Sequence, residues 1–209
     1  MWKLTPFLLF GCIVLTMVSC EKEKSLDTLG HHPGTAGAGS EIGTWTFLSM
    51  NAVTNVTISY TSGADKIMTV TTSDYTSTDN AGTITFDGKN ITTAGVTYAV
   101  DGLATTKFYT NNVLENTFEF PFGGIIPATN STVPYQKIGR DSLHFSSDVL
   151  TGIAPNGAPI TVPTGYKLKF EGDKMMITMV YNDTKLQVVS GITQRFTSHA
   201  VTTATLQKQ

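Results

Sequence analysis

Residues 166–181 read YKLKFEGDKMMITMVY, and they decide the fold. Lys167 and Lys169 alternate with Leu168 and Phe170, the period of a strand with one wet face and one buried face. Gly172-Asp173 then supplies a tight turn, and Met175–Tyr181 returns as a second strand. The same period of two recurs outward along the chain. It is seen in Thr44–Leu48, Val56–Tyr60, Ile67–Val70, Thr83–Phe86, Ile91–Val100, Lys107–Thr110, Asn116–Phe120 and Ser142–Ser146, and in a terminal run Thr193–Leu206. Asp87-Gly88-Lys89-Asn90 carries turn chemistry between two of these runs. No window holds an apolar stripe of helical period. The expectation is an all-β domain of about 8–11 antiparallel strands, an up-and-down barrel or, as the alternative, a β-sandwich. Two Pro- and Gly-rich stretches, Pro121–Arg140 and Asp148–Gly165, are read as long loops in this meander.

The N-terminus decides location. Lys3 precedes an apolar run from Phe7 to Val18, long enough for a signal h-region and too short to cross a bilayer core of ~30 Å. The run ends in Met17-Val18-Ser19-Cys20, which resembles the lipobox of bacterial lipoproteins. The resemblance implies a diacylglycerol thioether on Cys20, cleavage before it, and a mature chain anchored in the cell envelope as an outer-membrane lipoprotein, in the periplasmic or the surface leaflet. Acylation at Cys12 would leave an h-region of only about six residues, with the bulky Phe10 close to the site. Removal of residues 1–19 leaves Cys20 as the only cysteine, so disulfide chemistry is excluded. Residues 20–40, rich in Gly, Ala and Ser after Glu21-Lys22-Glu23-Lys24, read as a lipidated flexible tether, and residues 41–209 as the folded domain.

Within the domain, Gly43-Thr44-Trp45 resembles the G-x-W start of the lipocalin superfamily. There the indole plugs the closed end of the barrel and an Arg of the last strand covers it. Arg195 is the matching position here. Lipobox, tether, G-x-W and antiparallel strands together are similar to the lipocalin-like lipoproteins of Bacteroidota. That resemblance implies a non-catalytic domain that holds a small hydrophobic ligand in its barrel. Phe108, Phe118, Phe120, Tyr166, Phe170 and Tyr181 are then the candidate pocket lining, with core packing as their other reading. A second reading of function is a surface module that recognises protein or glycan through its long loops. Asp27-Thr28-Leu29 and Asp141-Ser142-Leu143 resemble the O-glycosylation triplets of Bacteroidota, which marks Thr28 and Ser142.

Composition narrows the rest. The 209 residues are 40% hydrophobic and only 14% charged, with net charge −2. Polarity comes instead from Thr, Ser and Asn, as on exposed sheets. Without a basic excess, nucleic acid is not an expected partner. Hydrolase, P-loop and paired-Cys or His metal signatures are absent, so no enzyme activity, cofactor or metal site is expected. His144 and His199 read as strand residues, and His31-His32 lacks a third ligand. Oligomeric state is not legible. Cys20→Ala should abolish incorporation of a clickable fatty acid, because the thioether is expected on the lipobox cysteine. Persistent label on that variant would move the assignment to Cys12.

Overall fold

The computed structural model describes residues 39–145 and 165–209. They form nine strands and no helix: β1 (Gly43–Ser62), β2 (Asp65–Thr76), β3 (Thr78–Phe86), β4 (Asn90–Thr110), β5 (Val113–Ile138), β6 (Ser142–Phe145), β7 (Gly165–Glu171), β8 (Lys174–Val189) and β9 (Ile192–Lys208). All pairings are antiparallel, and β9 returns to pair with β1. The single sheet therefore closes into a ring.

β2 and β3 share one position in that ring. β3 pairs with the start of β1, from Gly43↔Phe86 to Thr46↔Thr83, and β2 pairs with its remainder, from Asn51↔Thr76 to Ser62↔Asp65. Both also pair with β4. The break between them is held by Ser77, whose Oγ accepts the Met50 N–H at 2.7 Å and donates to Asn80 Oδ1 at 2.5 Å. Gly82 lies against β4 there, at φ +98°. A Cβ on it would sit 2.5 Å from the Gly95 carbonyl oxygen, so this turn of the wall accepts only glycine.

Strand lengths divide the ring into two halves. β6 and β7 have 4 and 7 residues, whereas β5 has 26. The closed half is therefore an eight-position ring, β1-β3-β4-β5-β6-β7-β8-β9. Among the described residues, six strands continue beyond β6 and β7 as an open half in the order β5-β4-β2-β1-β9-β8. The chain enters at the closed end, since β1 runs from Gly43 there to Ser62 at the far tip.

The core fills the closed half. Trp45, Phe47, Phe86, Phe145, Met175 and Leu206 are all at or below 2% exposure. A run of aromatic contacts crosses the wall: Phe86 to Tyr135 at 5.6 Å, Tyr135 to Phe145 at 6.1 Å, and Phe145 to Tyr166 at 4.4 Å. The outer surface is threaded by threonine pairs, among them Thr44–Thr85, Thr92–Thr132 and Thr178–Thr203, with oxygens 3.0–3.1 Å apart. Such cross-strand pairs each stabilise a sheet by ~0.2–1 kcal/mol and need no charge, which accounts for the low content of Lys, Arg, Asp and Glu.

Two sequence expectations change. The short runs merge: Thr44–Leu48 and Val56–Tyr60 belong to one strand, as do Ile91–Val100 and Lys107–Thr110. Pro121–Arg140 is not a loop, because β5 runs through it to Ile138. Three prolines fit because β5 pairs with β4 on one side only over Val113–Pro134, among the described residues, and an edge strand has no ladder to lose on its outer side. The remaining loop, Asp148–Gly165, lies almost wholly outside the described residues, as do Cys20, Thr28 and the tether up to residue 38.

Burial raises the phenol pKa of Tyr98, Tyr75 and Tyr135, and the charge of Glu41 adds to the effect at Tyr135. A phenol whose folded pKa exceeds its unfolded value stays protonated when the unfolded chain ionises. Stability is therefore unaffected below about pH 10 and falls as pH rises beyond it. Tyrosinate absorbance at these three positions should appear together with loss of β-sheet circular dichroism. A titration complete near pH ~10 with the fold intact would contradict their burial.

Candidate binding face of the open half

The two ends of the barrel are built from different inward-facing residues. At the closed end, Trp45 donates its indole N–H to the Glu41 carbonyl at 2.7 Å. The buried Glu41 carboxylate is paired with Lys137, which reaches in from β5. Phe170 packs beside the indole at 6.3 Å, and Gly39 lies so close to the Phe170 ring that a Cβ would meet it at 2.4 Å. Packing thus begins two residues before the expected boundary at 41, inside the segment read as tether.

The cation on Trp45 is Lys208, with Nζ 5.5 Å from the ring centroid. Arg195, expected in that role, is elsewhere. Antiparallel register sets Trp45 against Lys208 and Ser59 against Arg195. Thirteen residues of strand, roughly 40 Å at ~3.3 Å each, separate the two β9 positions. They also differ in parity, so Arg195 projects from the outer face. Gly43 holds φ +124° at the start of β1.

Above this plug lies a belt of hydroxyls that satisfy one another, Thr54 with Ser73 at 2.7 Å and Thr71 with Thr106 at 2.8 Å. Register sets Val56, Phe118 and Phe120 level with this belt on the inward face, and beyond it the inward positions include the apolar Ile58, Ile67, Phe108 and Phe196. Here burial fails. Phe118 is 53% exposed, Phe108 38% and Phe120 37%, although Phe108 and Phe118 meet edge to face at 5.6 Å.

The six aromatics expected to line one pocket do not converge. Phe108, Phe118 and Phe120 share this open face, whereas Tyr166 and Phe170 are packed into the closed core. Tyr181, opposite Ala200, stands half-buried at the boundary. A run of alternation in sequence gives the face of each side chain but not the height at which its strand crosses the barrel, and height separates these residues.

The remaining candidates are placed simply. Ser142 begins β6, half-buried, with its Oγ donating to Asp141 Oδ1 at 3.2 Å. His199 faces out and shares a 2.6 Å hydrogen bond with Asn182, its cross-strand partner. His144 lies between the inward Leu143 and Phe145. Among the described residues no three His, Cys, Asp or Glu side chains form a metal-holding group. Compared with known proteins, the chain matches no family model, no curated protein and no solved structure.

Trp45→Ala should destabilise the domain by ~3–5 kcal/mol, as for other large buried aromatics. Lys208→Ala should cost about 0.5–1 kcal/mol and couple to it in a double-mutant cycle. Arg195→Ala should be additive with Trp45→Ala in the same denaturation series. Coupling to Arg195 in place of Lys208 would contradict the register of β9.

Proposed function

We propose that the chain is a non-catalytic, lipocalin-like lipoprotein of the outer membrane, anchored through lipid on Cys20, whose open half seats a small apolar ligand without any cofactor. The observation that carries this reading is the change in the inward face. The same alternation that buries Phe47 and Tyr98 below the hydroxyl belt leaves Phe118 and Phe120, level with the belt, and Phe108 above it exposed. Apolar area left in water forgoes about 25 cal/mol per Å², and a ligand resting there recovers it. The seat is apolar with a few hydroxyls beneath, the mixture that small-molecule sites use for affinity and orientation. The packed closed half would serve as a floor. Under the same proposal Thr28 and Ser142 are the glycosylated positions.

A second reading, the surface interaction module, is favoured by a different observation. Leu103 and Ile125, on the outer face of β4 and β5, are 60% and 76% exposed. Exposed apolar groups next to a one-sided strand are what a protein partner covers.

One titration separates the two. A naturally fluorescent fatty acid should bind saturably with one site per chain. Phe118→Ser should weaken it at least tenfold, about 1.4 kcal/mol, while Leu103→Ser and Ile125→Ser leave it unchanged. Absence of saturable binding, with the fold intact by circular dichroism, would abandon the ligand seat in favour of the interaction module.

A further inference from the structure

The outer face of the open half carries a separate feature, built by the end of the β1–β9 ladder. That ladder stops at Ser59↔Arg195. Beyond it, β1 continues to Ser62 bonded only to β2, and residues 192–194 of β9 are bonded only to β8. Two hairpins, with tips at Gly63-Ala64 and Ser190-Gly191, therefore part as a fork. The fork encloses an open groove of about 410 Å³ lined by Ser59, Thr61, Lys66, Leu186, Thr193 and Arg195, among others. Register places these six side chains on one face: Thr61 lies opposite Lys66, Leu186 opposite Arg195, and Ser59 opposite Arg195.

The chemistry of the lining is one-sided. It holds two cations, four hydroxyl-bearing side chains with Tyr60 the fourth, and no carboxylate. Neither Arg195 nor Lys66 has an ion pair among the described residues. The nearest acid along the chain, Asp65, is engaged by the Asn111 side-chain amide at 2.8 Å. A guanidinium offers a planar fork of donors that matches an oxyanion in two bonds, and an ammonium adds a point charge. Ser59, Thr61 and Thr193 can each donate and accept, which suits a ligand with hydroxyls of its own. Leu186, exposed at the groove wall, offers an aliphatic surface.

We infer that this fork is a binding site for an acidic saccharide, a sugar bearing a carboxylate or phosphate, held by Arg195 and Lys66 with its hydroxyls on Ser59, Thr61 and Thr193. The volume lies within the ~300–1,000 Å³ of small-ligand sites and fits one or two sugar rings. A lipid headgroup is the less fitting source of the same charge. The described chain enters the domain at the closed end, and the fork is at the opposite tip, the length of β1 away. The site is on the outer face and does not depend on the apolar seat inside.

Ligand-observed nuclear magnetic resonance on the full-length chain in non-ionic detergent tests it, with glucuronate, glucose 6-phosphate and glucose as probes. Both acidic sugars should bind saturably and glucose at least tenfold more weakly. Arg195→Gln and Lys66→Gln should each weaken the acidic sugars at least tenfold. Lys107→Gln, an outward cation away from the fork, should not. Raising salt from about 50 mM to about 500 mM should weaken binding by screening. The proposal is overturned if neither acidic sugar saturates, or if Lys107→Gln weakens binding as much as Arg195→Gln. It is equally overturned if inorganic phosphate, or vesicles containing phosphatidylglycerol, compete as well as the sugars.

Discussion

The pairing of the first strand with the last governs this molecule. From Trp45↔Lys208 to Ser59↔Arg195, β1 and β9 join the two ends of the described domain into a ring. In the closed half this leaves no lateral edge among the described residues. It also brings the plug together: Trp45 from β1 receives its cation from the end of β9 and its carbonyl from Glu41 just before β1. Where that ladder stops, the fork begins, and the position of Arg195 follows from the same register.

A second constraint acts through mismatched lengths. Among the described residues, β6 and β7 lie beside β5 and β8 over only 4 and 7 residues, so the described wall is complete only around the lower core. Below, side chains on the inward face meet others from all sides and pack to the density of a protein interior. Above, Phe108, Phe118 and Phe120 on the same inward face are exposed. One barrel thereby yields a stable floor and an uncovered apolar surface.

Irregularities in the ladders keep the inward face consistent along such long strands. A shift between Phe47 and Ser49 lets Trp45 and Phe47, then Met50 and Ala52, all point inward. The shift between Thr93 and Val96 does the same for Ile91 and Thr93 followed by Val96, Tyr98 and Val100. Without these extra residues, alternation would turn the next aromatic to solvent. Positive φ at Gly82 and Gly95 belongs to the second of these places.

Strand character was legible in the sequence because alternation and turn residues are local. The Gly172-Asp173 and Asp87–Asn90 turns close hairpins as read, with Asp87 Oδ1 accepting the Lys89 and Asn90 amides at 2.8 and 2.6 Å. Trp45 is buried near the start of β1. The merging of short runs into long strands could not be read, since threonines and glycines inside a strand look like breaks until a neighbouring strand pairs across them. The prolines of β5 misled for a related reason: they exclude a central strand but not an edge, and only the tertiary structure distinguishes the two. Which cation covers the indole, which aromatics share a face at one height, and where two hairpins separate depend on register between segments distant along the chain. Sequence by itself determined the all-β class, the period that sorts each side chain inward or outward, and the turns. The tertiary structure alone decided ring closure, the height of each residue on the barrel and hence the sites, because hydrogen bonds between strands, and not propensities within them, set how far each strand slides along its neighbour.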